Sequence, residues 1–207
     1  MFSKLLSLLF PETNYEKTIA SIKCLEPSPF VITTLSGHSV VTCARYDEPH
    51  MRVTIKVLKK HGTEHSVQLL AHLLGDVLLE DLADSVIWHP AETIIVPMPI
   101  SSKRARERGF NQMEKIVDAL PTTLRAFVNK DVLIRVHNTR MQKTLSREER
   151  LHNVTDAFAV PNENTVRSKH IILIDDVVAT GATIGAAAQA LQSAGACHIT
   201  LVALARA

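Results

Sequence analysis

Leu69, Leu70, Leu73, Leu74, Val77 and Leu78 recur at three- and four-residue intervals and stack on one face of a helix. Thr63 can cap that helix, which the pattern carries through about Leu82. Upstream, His50–Lys60 also reads as helix, with Gly62 as its stop. Phe30–Leu35 and Ser39–Tyr46 are rich in strand-forming residues, and Ser36-Gly37-His38 between them predicts a hairpin. Thr93–Val96 is a short apolar strand closed by Pro97 and Pro99. A helix follows from about Asn111 to Leu120, and Val132–Val136 reads as another strand. His137–Arg150 is polar and basic without a period, although Ser146 and Glu149 fit a capping box. Ile171–Ile174 is the most apolar strand. A helix near Thr183–Ser193 comes next, ended by Gly195, and Ile199–Ala205 forms the last strand.

Strand, helix and strand repeat through the second half. That order predicts an α/β fold, a central parallel sheet with helices on both faces. Right-handed crossovers place the loops after the strands on one rim, where open α/β sheets bind ligands. Residues 1–45, a helix and the hairpin, are expected as a small N-terminal appendage to a main domain of residues 46–207.

The 207 residues suffice for such a domain and a small appendage. The formal charge of +2 gives little support for nucleic-acid binding by itself. Cys24, Cys43 and Cys197 are far apart, with no C-x-x-C pair, which suits a reduced, cytoplasmic protein. The opening MFSKLLSLLF is halted by Pro11 and is read as a short packing helix, so no membrane partner is expected. Nothing in the pattern sets an oligomeric state.

Candidate chemistry concentrates in ILIDDVVATGAT, Ile172–Thr183. Asp175 and Asp176 stand side by side at the end of an apolar strand that does not need them. Ala179, Thr180, Gly181, Ala182 and Thr183 then turn into a helix. Small residues admit a ligand close to the backbone, and the first amides of a helix attract phosphate. The acids repel phosphate but accept hydrogen bonds from hydroxyls beside it. A phosphate next to two vicinal hydroxyls is a ribose 5-phosphate. The alternative is an acidic strand end before an ordinary capped helix. No G-x-x-x-x-G-K-[ST] occurs and no G-x-G-x-x-G follows a strand, which argues against a P-loop enzyme or a standard dinucleotide binder.

ILIDDVVATGAT resembles the phosphoribosyl pyrophosphate (PRPP) motif of type I phosphoribosyltransferases. VPMPISSKRARERGFNQ (Val96–Gln112), TRMQKTLSREERLHNVTDAFAV (Thr139–Val160) and ARYDEPHMRVTIKVLKKHG are similar, in order and spacing, to segments of the ComF family. The resemblance spans about Cys43–Ala207. It implies the type I phosphoribosyltransferase-like fold with an N-terminal hood. The family's usual cysteine-rich zinc segment has no counterpart here, so no zinc is expected.

The resemblance also implies roles. Asp175 and Asp176 hold the ribose hydroxyls as catalytic residues, neither necessarily a general base, and Ala179–Thr183 hold the 5-phosphate. Magnesium arrives with the pyrophosphate and needs no protein cage. Lys103, Arg104, Arg106 and Arg108 set four cations against Glu107, which suggests a pyrophosphate site with Ser102, Lys103 and Arg104 foremost. The alternative is a solvated basic helix. Arg140, Gln142, Arg147 and Arg150 occupy the place of the mobile loop that closes over substrate, with Arg140 a catalytic candidate. Lys56, Lys59 and Lys60 read as a solvated stripe, with nucleic-acid contact as the alternative. His61-Gly62-Thr63-Glu64-His65 matches a zinc-protease pattern, but Gly62 at a helix boundary spoils it.

The expected function is Mg-dependent transfer of a phosphoribosyl group from PRPP to a nitrogenous acceptor that the sequence does not identify. The alternatives are a non-catalytic competence accessory that binds single-stranded DNA, and a PRPP-sensing regulator. Phe110, Trp88, Tyr46 and Phe158 are few and scattered for base stacking along a single strand.

Overall fold

The computed structural model describes residues 14–34, 37–81, 92–136 and 157–207. The expectations for the first ten residues, Trp88, the Ser146–Glu149 capping box, and the loop residues Arg140, Gln142, Arg147 and Arg150 lie outside the described residues.

Helices are α1 (Asn14–Ser21), α2 (Pro49–His61), α3 (Glu64–Asp81), α4 (Ser102–Arg108), α5 (Gln112–Asp118), α6 (Thr122–Arg125) and α7 (Ala182–Ser193). Strands are β1 (Phe30–Thr33), β2 (Ser39–Arg45), β3 (Thr93–Pro97), β4 (Ile134–Arg135), β5 (Phe158–Ala159), β6 (His170–Val178) and β7 (His198–Arg206). Five strands form one sheet in the order β1-β2-β7-β6-β3. The β2–β7, β7–β6 and β6–β3 pairs are parallel; only β1 runs antiparallel, on β2. The fold is therefore α/β with a mostly parallel sheet flanked by helices. On the sheet, α3 meets β2 and β7, α5 meets β3 and β6, and α7 meets β6 and β7.

Two sequence expectations change. The hairpin was expected as a separate hood, but β2 pairs with β7 from Val40↔Leu201 to Arg45↔Arg206 and extends the central sheet. The cause is burial: Val40, Thr42, Cys43 and Ala44 are all buried, whereas a hairpin covered on one face only would bury alternate residues. Val132–Val136 was expected as a strand of the parallel sheet. Only Ile134 and Arg135 pair, antiparallel with Ala159 and Phe158 in a separate ribbon. The outer edge of β3 is taken instead by residues 127–129, through Ile95 N–H to Phe127 O and Asn129 N–H to Ile95 O, both 2.9 Å.

Local chemistry explains the helix ends that matter for the rim. Glu48 caps α2 by accepting from the His50 and Met51 amides. Gly62 ends it in the left-handed region at φ 56°. Asn111 caps α5 by accepting from the Met113 amide. The apolar run of β6 is buried throughout, and its register on β7 and β3 fixes where the acids emerge.

Candidate active site

Asp175 and Asp176 lie side by side near the end of β6, where its apolar run stops. Asp176 is buried at 7% exposure. Its Oδ1 meets Lys59 Nζ at 3.0 Å, and its Oδ2 accepts from Gln112 Nε2 at 2.7 Å. Gln112 Oε1 in turn accepts from Arg108 Nη1 at 2.8 Å. A polar chain thus joins α2, β6, α5 and the end of α4. Asp175 is half-buried and accepts the Asp176 amide on Oδ1 at 2.8 Å. Burial and the neighbouring Asp176 push Asp175 up to about 7, while its own hydrogen bond and the cations Lys59 and Arg104 act against that rise.

After Val178 the chain turns through exposed Ala179 and Thr180 into Gly181 at φ 78°. Gly181 is buried, and a Cβ built there would run into the side chain of Thr34 from the hairpin turn. Thr34 is held in place because its Oγ1 accepts from the His38 amide at 3.0 Å. Only glycine satisfies both the backbone and the space. The start of α7 has no capping side chain on its first amides, apart from a long 3.4 Å contact from Ala182 N–H to Thr180 Oγ1. Those amides stay available to an anion.

These parts line one cavity of about 310 Å³, a size that suits a small ligand. Its walls include all of Asp175–Ile184, with Lys59, Arg104, Gln112 and Arg135 as the polar groups opposite. Of the sequence candidates, Asp175, Asp176, Ala179, Thr180, Gly181, Ala182, Thr183 and Arg104 meet there. Ser102 and Lys103 do not line it; they are exposed at the start of α4, and Lys103 Nζ lies 3.9 Å from Glu107. The helix Ser102–Arg108 points one cation, Arg104, inward and leaves its neighbours to solvent.

Lys59, Gln112 and Arg135 were not site candidates in the sequence. Lys59 corrects the solvated-stripe expectation: it is a partner of Asp176 rather than a surface charge. The signal was available, since the stretch resembling the family runs from Tyr46-Asp47 through an apolar helix to a lysine, and Gln112 closes the R-x-R-G-F-N-Q segment. Arg135 lies over the Phe158 ring at 5.2 Å, and burial and Arg104 lower its pKa although Asp175 opposes them. The His61/His65 pattern is resolved differently. His65 Nε2 donates to the carbonyls of Ile19 and Ile22 at 3.1 and 3.0 Å and ties α1 to α3. Phe158 is buried, and Phe110 is half-buried against Gly62, so neither offers an open stacking face.

Residues 107–207 match the family model described as phosphoribosyl transferase domain. The chain is similar to the DNA utilization protein YhgH of Salmonella typhimurium, 35% identical over 184 residues, covering 89% of this chain and 76% of that protein. It is also similar to competence protein F of Haemophilus influenzae, 31% identical over 55% of this chain and 50% of that one. Competence protein ComFC of Bacillus subtilis is 32% identical over 54% of this chain and 43% of its own length.

Proposed function

This chain belongs to the ComF family of phosphoribosyltransferase-domain proteins, and on that footing we propose that its rim cavity binds PRPP and transfers the phosphoribosyl group to a nitrogenous acceptor. The observation that carries the reading is the convergence on one cavity of an uncapped helix start, a glycine that cannot be replaced without collision, two adjacent acids and three cations.

In this reading the amides of 181–184 and the hydroxyls of Thr180 and Thr183 take the 5-phosphate. The acids face the ribose. As the bond from the anomeric carbon to pyrophosphate breaks, its electron pair leaves with pyrophosphate and positive charge builds on the ring. The acceptor nitrogen supplies the new bond. Carboxylates near the ring and Arg104 and Arg135 near the leaving group stabilise that charge distribution. Magnesium enters as part of the substrate. Among the described residues no group of three or more His, Cys, Asp or Glu is arranged for a metal ion, and magnesium held mainly by phosphate oxygens and water needs none.

Titration calorimetry with Mg-PRPP and with ribose 5-phosphate tests this reading, followed by pyrophosphate release with purine, pyrimidine and amine acceptors. Saturable binding of both ligands, lost in Gly181→Val, is the expected result. No heat at millimolar ligand overturns it.

The relatives' names, DNA utilization and competence, favour a second reading. Lys103 and Arg106, three residues apart on α4, are exposed cations beside the rim that suit a single DNA strand. A DNA-handling accessory of this kind shows oligonucleotide affinity that falls steeply with salt. PRPP binding without pyrophosphate release instead marks a sensor.

A further inference from the structure

Arg135 brings a long, flexible cation to the wall of a cavity that Arg104 also lines. Burial and Arg104 both act against its charge there, and Asp175 acts for it. A guanidinium in that balance, on a side chain with many rotamers, needs a support to keep it facing inward. Phe158 supplies one. The two residues are direct partners across the β4–β5 ribbon, and side chains paired in this way stand on the same face. The guanidinium carbon lies over the Phe158 ring, 5.2 Å from its centre. Phe158 itself is buried and is not part of the rim cavity wall. It lines instead a neighbouring cavity, with Gln189, Ala190 and Ser193 of α7. The ribbon is anchored: the Val136 amide donates to the Ala157 carbonyl at 3.0 Å, and α7 packs on β5. The helix that opens on the rim thus also backs the ring beneath Arg135.

We propose that Phe158 is a positioning residue: its ring holds the Arg135 guanidinium at the rim cavity before a ligand arrives, so that this cation is in place for the pyrophosphate. The stack stands without the PRPP reading above; the pyrophosphate clause rests on it. The choice of an aromatic partner follows from what the cation must still do. The negative face of the ring attracts the guanidinium. That contact uses none of its N–H donors, which lie in the guanidinium plane. A carboxylate in the same position would occupy those donors and repel pyrophosphate.

Two measurements separate the stack from its use. The stack is read in ligand-free protein from the side-chain Nε–H signal of Arg135 in ¹⁵N-arginine samples, identified by its loss in Arg135→Lys. The ring is expected to shift that proton upfield in the parent. The shift should vanish in Phe158→Leu and return in Phe158→Tyr. A parent signal at the ordinary position of an exposed arginine overturns the stack, however Phe158→Leu folds. So does a shift that persists in Phe158→Leu shown to be folded by circular dichroism.

The use is read by calorimetry with Mg-pyrophosphate and, separately, with ribose 5-phosphate. Losing a desolvated cation–π contact should lower Mg-pyrophosphate affinity by about threefold or more in Phe158→Leu. Phe158→Tyr should stay within about twofold of the parent, since it keeps the ring face. Ribose 5-phosphate lacks the group that Arg135 meets, so its affinity should change by less than about twofold in either variant. Equal losses for both ligands, or unchanged Mg-pyrophosphate affinity in Phe158→Leu, overturn the positioning role. A parent that binds neither Mg-pyrophosphate nor Mg-PRPP overturns the pyrophosphate clause together with the reading it rests on, while the arginine signal still decides the stack.

Discussion

The ring of Phe110 occupies the space that any side chain at Gly62 would need. Lys115 secures the contact: its Nζ sits 4.4 Å over the Phe110 ring and donates to the Gly62 carbonyl at 3.1 Å. The end of α2 is thereby fastened to the start of α5. Lys59 lies in the last turn of α2, so this joint sets where its ammonium meets Asp176. Gly62→Ala is expected to cost about 1–2 kcal/mol, from the left-handed backbone and the displaced ring. Thermal unfolding should show a midpoint lowered by roughly 2–8 °C. An unchanged midpoint contradicts the joint.

The hairpin turn and the loop that leads from β6 into α7 are coupled through Thr34 and Gly181. Gly181→Ala combines a φ of 78° with a collision against Thr34, so it should destabilise and weaken ligand binding together. Thr34→Ala removes part of the obstacle. The double variant should therefore be more stable than the sum of the single losses by about 0.5 kcal/mol or more. Strict additivity in urea unfolding contradicts the contact.

Gln112 is buried, and its amide bridges Arg108 to Asp176. Gln112→Ala leaves a buried carboxylate oxygen short of a donor, at a cost of about 1–3 kcal/mol. Gln112→Glu places a second carboxylate against Asp176 and should destabilise further above pH 6 than at pH 4.5. Equal stability of the parent and Gln112→Ala in denaturant unfolding counts against the polar chain.

The raised pKa of Asp175 has a definite sign in stability. Between the unfolded value near 3.8 and the folded value of about 7, the folded state binds the proton more tightly. Stability contributed through this group therefore falls as pH rises across that window and is level above it. The loss is on the order of a few kcal/mol. His170 acts in the opposite direction: burial and His198 lower its pKa, so its contribution rises with pH through the range just below its usual value. The parent minus Asp175→Asn difference isolates the aspartate. Unfolding free energies from pH 4.5 to 8 should show that difference growing in favour of the variant. A constant difference contradicts a proton held on Asp175.

Much of the rim was legible because its chemistry is local. An apolar run ending in Asp175-Asp176 and followed by small residues and a helix is a pattern within one short segment, and β6 and α7 carry it. The hairpin was legible as an element, but not its place in the sheet, because pairing with β7 is a property of two distant segments. Val132–Val136 had strand-like residues yet only Ile134 and Arg135 pair, since residues 127–129 had already taken the edge of β3. Lys59 was the least legible of the site residues. A lysine in a basic run looks solvated until the end of α2 is known to abut β6. Arg104 could be told from Lys103 only once the helix from Ser102 fixed which side chain turns inward.

The central claim is that this rim is a live PRPP site, and the most direct test is thermal unfolding with and without Mg-PRPP, beside the Asp175→Asn/Asp176→Asn double variant. Ligand at about 100 times its Kd stabilises the folded state by roughly 2.7 kcal/mol, which for a chain of this size is a rise on the order of 5–10 °C. The expected result is that rise in the parent and its absence in the double variant. No rise in the parent at millimolar Mg-PRPP contradicts the claim, and the DNA-handling reading then takes its place.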